Sequence, residues 1–256
     1  MIAIEVKNFK KNYGTASAVK GISLSVKKGE LFGIIGPDGA GKTSLIRAIC
    51  TLLVPDDGLI LVDGMDVTKN VVAIRSMLGY MPQRFSLYQD LSVQQNLQFF
   101  ADLFQVSEQE KEKQLKKLYQ FSRLAPFKDR KAAALSGGMR QKLALSCALI
   151  HTPDILVLDE PTFGVDPVSR QEFWDILHLI QDQGTTILVS TAYMDEAELC
   201  QRIALINEGK IVGLDSPANL KKEFPFPIYK IAGKKLHLLR DYFNGLKNVL
   251  QKHHNC

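Results

Sequence analysis

Hydrophobic and polar residues alternate along residues 1–30, first through Met1-Ile2-Ala3-Ile4-Glu5-Val6 and again from Val19 to Val26, with Gly14 and Gly21 between. A period of two predicts antiparallel strands with one buried face. At Leu31 the pattern changes. Leu31-Phe32-Gly33-Ile34-Ile35 is a continuous apolar run, as in a strand buried on both faces, and residues 43–53 follow with helical spacing. The order is strand, glycine loop, helix. Residues 59–64 predict a further strand and turn.

A helical region is predicted from about 91 to 150. Ser92 with Gln95, and Ser107 with Glu110, fit the capping box, in which two side chains satisfy free amides of a helix's first turn. A short helix is also expected over 84–97, with Phe85, Leu87 and Tyr88 as an exposed apolar cluster suited to docking. Residues 155–158 form another buried-strand run. Residues 169–183 place Phe173, Leu177 and Ile180 on one helical face before Gly184, and 185–190 return to strand. Strands alternating with helices imply a mostly parallel sheet interrupted by a helical insertion. Residues 203–206 and 210–212 flank Asn207-Glu208-Gly209, a hairpin signature. Past Asp215 the pattern weakens among Pro217, Pro225 and Pro227. The stretch from Ile228-Tyr229-Lys230-Ile231 to Gln251 reads as the start of an appended unit cut short. No internal repeat is present.

Composition narrows the class. A chain of 256 residues with 46% hydrophobic content can bury a full core. The net charge of +5 is modest and its Lys and Arg are scattered, which argues against a nucleic-acid partner. Apolar runs such as 147–150 and 155–158 fall far short of the roughly 20 residues that span a bilayer. The N-terminus reads as a strand and not a signal segment, so a cytoplasmic location is expected. Cys50, Cys147, Cys200 and Cys256 lack metal-ligand spacing and read as core fillers or surface thiols.

Three segments carry chemistry. Gly36-Pro37-Asp38-Gly39-Ala40-Gly41-Lys42-Thr43 matches G-x-x-x-x-G-K-[ST] in full, between a predicted strand and helix. Glycines let backbone amides close on phosphate oxygens, the helix start adds its dipole, Lys42 supplies a cation and the Thr43 hydroxyl can ligate magnesium. Asp159 and Glu160 end the run 155–158. Asp159 is placed to hold magnesium through water, which leaves Glu160 to polarise an attacking water. Leu135-Ser136-Gly137-Gly138-Met139-Arg140-Gln141 opens a helix with Ser136 at its cap. It reads equally as a second anion site and as an ordinary capped helix.

Together, in this order and spacing over residues 1–215, the three segments resemble the ABC ATPase family. The resemblance implies an α/β P-loop NTPase with a mostly parallel core sheet, a small antiparallel β lobe and an α-helical lobe from about 91 to 150. It also implies that 216–256 is a short C-terminal extension. It implies ATP with Mg2+, and head-to-tail pairing with a second ABC ATPase domain, in which each signature (Ser136, Gly137, Gly138, Gln141) caps the ATP on the other's phosphate loop (Gly36 to Thr43, then Ser44). Magnesium falls to Thr43, Asp159 and Gln83 of Tyr80-Met81-Pro82-Gln83, and catalysis to Glu160, Lys42 and the interfacial carboxylate Asp166. Tyr13 matches the aromatic that stacks on adenine, and equally fits a strand-end packing residue. Membrane permease subunits are the implied partners, placing the chain on the inner face of the cell membrane and touching the membrane only through them.

The Gly79–Gln83 wording and Met194-Asp195-Glu196-Ala197-Glu198 resemble multidrug-type exporters. Two positions depart from the family pattern. Asp38 stands where Asn is usual, and would put a carboxylate near the phosphates unless turned outward. Ala192, in Ser190-Thr191-Ala192-Tyr193, stands where the family has a histidine touching the γ-phosphate. Both departures resemble the first half of certain tandem exporter ATPases. A non-transport ABC ATPase, and an ATP-binding partner with weak turnover, remain the alternatives.

Overall fold

The computed structural model of the chain describes residues 1–83 and 87–223. The chain divides into two units, Met1–Lys221 and Lys222–Cys256. The tail expectations for 228–251, with Phe85, His237, His253, His254 and Cys256, lie outside the described residues.

β1 (Ile2–Tyr13) and β2 (Ala16–Lys27) pair antiparallel, joined through Gly14 at φ 59°. β4 (Asp57–Val62) and β5 (Met65–Asp66) complete a four-stranded antiparallel sheet in the order β2-β1-β4-β5. The second sheet has the order β10-β9-β3-β8-β7-β6, built from β3 (Leu31–Ile35), β6 (Leu78–Met81), β7 (Ile155–Asp159), β8 (Thr186–Thr191), β9 (Arg202–Asn207) and β10 (Lys210–Asp215). All its pairings are parallel except the β9/β10 hairpin.

The continuous apolar runs are explained by burial on both faces. Phe32, Ile34, Ile155, Val157 and Leu188 join the core shared with the antiparallel sheet and α1 (Lys42–Ile49). Their alternates Leu31, Ile35, Leu156, Leu158, Ile187 and Val189 join a second core. That core is closed by α5 (Gly137–Leu149) and α6 (Pro167–Asp182), which contributes Phe173, Trp174, Leu177 and Ile180. Gly184, at φ 97°, follows α6 as predicted. α3 (Val93–Leu103), α4 (Glu108–Ser122) and part of α5 enclose a third core around Leu97, Leu118 and Leu143. α2 (Val71–Met77) and the closing α7 (Pro217–Lys222) are short additions.

Three expectations are corrected. The helix read over 43–53 ends at Ile49, because Thr51 turns left-handed at φ 61° and the Leu52 amide closes back on the Arg47 carbonyl. Among the described residues, the helix read over 84–97 begins at Val93. Residues Leu87–Asp90 are held as a turn by buried Asn96, whose side chain accepts from the Tyr88 amide at 3.0 Å and donates to the Tyr88 carbonyl at 3.1 Å. Leu87 is accordingly buried in the third core, while Tyr88 stays 47% exposed against Phe99. Ser92 and Gln95 form both bonds of the capping box, but Ser107 makes only its own half, accepting from the Glu110 amide.

Candidate active site

Parallel strands open their C-terminal ends at one edge, and ligand sites of α/β sheets lie there. The register pairs Ile35 with Thr191, Asp159 with Ser190 and Met81 with Leu158, so β3, β8, β7 and β6 end side by side. From this edge emerge the glycine loop after β3, Ala192 after β8, Glu160 after β7 and Pro82-Gln83 after β6.

The glycine loop needs its glycines. Gly39 and Gly41 have φ of 78° and 104°, and a Cβ on Gly36 would lie 2.2 Å from the Ile206 carbonyl oxygen. Pro37, Asp38 and Gly39 are exposed and Ala40 is buried, so Asp38 stands among the solvent-facing residues of the loop. Lys42 opens α1 with only 3% of its surface exposed. Its ammonium donates to the carbonyls of Gly36 (2.8 Å) and Pro37 (3.1 Å) and pairs with Glu160 Oε1 at 2.9 Å. Three partners match the three protons of a lysine ammonium. Thr43 and Ser44 follow, half-buried, and the Tyr13 hydroxyl lies 3.2 Å from Ser44 Oγ. Tyr13 ends β1 with half of its surface exposed.

Asp159 is the last residue of β7 and is buried, accepting from Ser190 Oγ at 2.6 Å. The same Ser190 oxygen accepts from the Glu160 amide at 3.0 Å, so one hydroxyl on β8 sets the end of β7. Glu160 then takes φ 49°, a left-handed conformation that costs a non-glycine residue roughly 1–2 kcal/mol. This turn presents the carboxylate to two partners, Lys42 through Oε1 and Gln83 Nε2 through Oε2 at 2.8 Å. Lys42, Glu160 and Gln83 thus form one connected group. Their link could not be read from the chain, because it depends on strand register. Ser190 was missed for the same reason.

The remaining candidates gather at the starts of α5 and α6. Ser136 caps α5 by accepting from the Met139 amide at 3.3 Å, and Gly137 is exposed. Gly138 is packed so closely on α6 that a Cβ there would lie 2.5 Å from Ser169 Oγ. Gln141 is half-buried on α5. Asp166 caps α6 through the Ser169 amide at 2.9 Å, and that bond holds its carboxyl below the usual carboxylate range. Ala192 is exposed just beyond β8. Neither described histidine takes its place: His151 bonds the Leu78 carbonyl at the opposite end of β6, and His178 lies on α6 beside Trp174. Among the described residues no helix is long and apolar enough to cross a membrane.

Known proteins resemble the chain in sequence and in fold. A family profile described as ABC transporter matches residues 19–163. The chain is 46% identical over 235 residues to the probable multidrug ABC transporter ATP-binding protein YbhF of Escherichia coli (strain K12), covering 92% of this chain and 39% of that one. It is 39% identical over 240 residues to Nod factor export ATP-binding protein I of Burkholderia orbicola (strain AU 1054), covering 93% and 79%. A solved dimeric ATP-binding cassette in a post-hydrolysis state, bound to ADP and Pi, superposes with a TM-score of 0.75 at 26% identity, covering 83% of this chain and 98% of that one. The chain therefore spans about two-fifths of the first relative and about four-fifths of the second.

Proposed function

The chain belongs to the ABC transporter family, and on that premise we propose that it binds and hydrolyses ATP to power export through separate membrane permease subunits. The observation that carries this reading is the Lys42–Glu160–Gln83 group, set beside the glycine loop at the C-terminal edge of the parallel sheet. A store for nucleotide needs the loop and its cation. A buried carboxylate turned onto that cation by a left-handed residue is what hydrolysis adds.

Backbone amides of the glycine loop, Pro37 having none, and the Lys42 ammonium receive the β- and γ-phosphates, and Tyr13 offers its exposed ring to adenine. As Lys42 turns to phosphate, Glu160 is released to orient water and take its proton while that water's oxygen attacks the γ-phosphorus and the bond to ADP breaks. The donor set fits magnesium, which prefers hard oxygens: the Thr43 hydroxyl, Asp159 through water, and the Gln83 amide oxygen, its nitrogen being held by Glu160. When bound, the ion would compensate phosphate charge.

Ser136, Gly137, Gly138 and Gln141 sit at the start of α5 and Asp166 at the start of α6, and Gly138 packs directly against Ser169 of α6. This placement supports their use on a second cassette's ATP, as does the dimeric state of the solved relative. Residues 1–215 would be the nucleotide-binding domain and 216–256 an extension. The permease would meet Tyr88, Phe99 and Leu103, an exposed apolar cluster on the helical lobe, and would hold the chain at the inner face of the membrane. Ala192 favours a second, compatible reading: this chain's own site turns over slowly, and an asymmetric partner performs most of the hydrolysis.

Isothermal titration of the chain with ATP and magnesium tests the reading. Binding should disappear in Lys42→Ala, which leaves the phosphate charge uncompensated. Undiminished affinity in that variant would remove the site assignment.

A further inference from the structure

Three buried or clamped residues outside the phosphate site join its two reactive turns. Thr162, two residues past Glu160, is 1% exposed and donates to Glu196 Oε1 at 2.6 Å. Glu196, itself 1% exposed, lies four residues past Ala192. Arg170, in the first turns of α6, reaches across the same gap. Its guanidinium lies 4.1 Å from the Tyr193 ring centre, 3.6 Å from Asp195 Oδ2 and, through Nε, 3.7 Å from Glu196 Oε1. Its backbone amide bonds the Asp166 carbonyl at 2.9 Å.

Buried polar groups are as a rule hydrogen-bonded, and a buried ion pair is weak evidence for stability. The Arg170–Glu196 contact stays at 3.7 Å. Arg170 Nε and Glu196 Oε2 are buried with no hydrogen-bond partner among the described residues. What the group does achieve is connection: the 160–166 turn and the 192–196 turn are held through the same two carboxylate and guanidinium groups. We propose that Glu196, Thr162 and Arg170 are positioning residues for hydrolysis, fixing the turn that carries Glu160 and Asp166 against the turn that carries Ala192. The proposal rests on the hydrolytic reading above. None of the three need touch ATP.

The test is steady-state ATPase kinetics of the full chain with its partner subunits, alongside thermal denaturation. Glu196→Gln keeps the side chain's shape but removes the charge facing Arg170. It should lower kcat about tenfold while KM for ATP stays within about twofold and the melting temperature holds, the pattern of an interaction used in the transition state. Thr162→Val, which takes the hydroxyl donor from the buried Glu196 carboxylate, should lower kcat by a similar factor at temperatures where the variant stays folded, at some cost in stability, and Thr162→Ser, which restores the hydroxyl, should recover the parental kcat. A purely structural group would lose stability and activity together. Wild-type kcat in both Glu196→Gln and Thr162→Val, with Glu160→Gln inactive, would overturn the positioning role and leave the hydrolytic reading standing. Wild-type kcat in Glu160→Gln would instead overturn that reading, and this proposal with it.

Discussion

Lys42 Nζ and Glu160 Oε1 lie 2.9 Å apart, both side chains almost wholly buried. The cation of the phosphate loop and the carboxylate proposed as base are therefore each other's partners, and a triphosphate must compete with Glu160 for Lys42. Glu160→Gln should tighten ATP binding about tenfold, or ~1.4 kcal/mol, because the neutral amide holds Lys42 less strongly and does not repel phosphate. Removing Lys42 instead strands a buried charge, which typically costs about 3–5 kcal/mol of stability. Titration calorimetry and urea unfolding check both. Equal ATP affinity in the wild type and Glu160→Gln would mean that the pair does not gate the loop.

The two signature glycines should respond differently to alanine. A Cβ on Gly138 meets Ser169 Oγ at 2.5 Å and Ser169 Cβ at 2.6 Å, whereas Gly137 has open space. Gly138→Ala should destabilise by roughly 1–3 kcal/mol through overpacking, and Gly137→Ala should be neutral or stabilising within a helix. Chemical denaturation of the two variants distinguishes them. Equal stability would show that α5 and α6 do not meet as described.

His151 stacks on Phe104 with ring centres 3.8 Å apart, and burial lowers its pKa below the usual histidine value. The unfolded chain then binds the proton more readily than the folded one, so stability is full above about pH 6.5 and falls as pH drops below it. His151→Gln should flatten that dependence between about pH 5 and 7. Unfolding free energies measured at both ends of the range, unchanged in slope by the substitution, would contradict this.

Much of the fold was legible because burial leaves period-two and continuous apolar patterns. Leu31 to Ile35 and 155–158 read as doubly buried strands, and Ser92 and Ser136 marked helix starts. The turn at 87–90 was not legible, since only the distant side chain of Asn96 holds it out of helix. Within the site, residue types gave Lys42 and Glu160 singly, and Gln83 came only from the family resemblance. Their mutual contact, and the parts played by Ser190, Thr162 and Glu196, depend on which strand ends lie side by side, which no local pattern encodes.

Ala192 lies just beyond β8, beside the strand ends that carry the glycine loop and Glu160. A histidine there could donate a hydrogen bond as charge develops on the γ-phosphate, a donor typically worth ~3 kcal/mol or about a hundredfold. Ala192→His should raise steady-state ATPase activity about tenfold or more. No change in a correctly folded variant would mean that this turn does not reach the nucleotide.

Glu160 is the proposed base for hydrolysis at the phosphate loop. Phosphate release from ATP and magnesium, measured for the wild-type chain and Glu160→Gln with their partner subunits under saturating ATP, tests it most directly. The variant should bind ATP at least as tightly as wild type yet release phosphate at about one-hundredth of the rate or less. Phosphate release at the wild-type rate from Glu160→Gln would contradict that role.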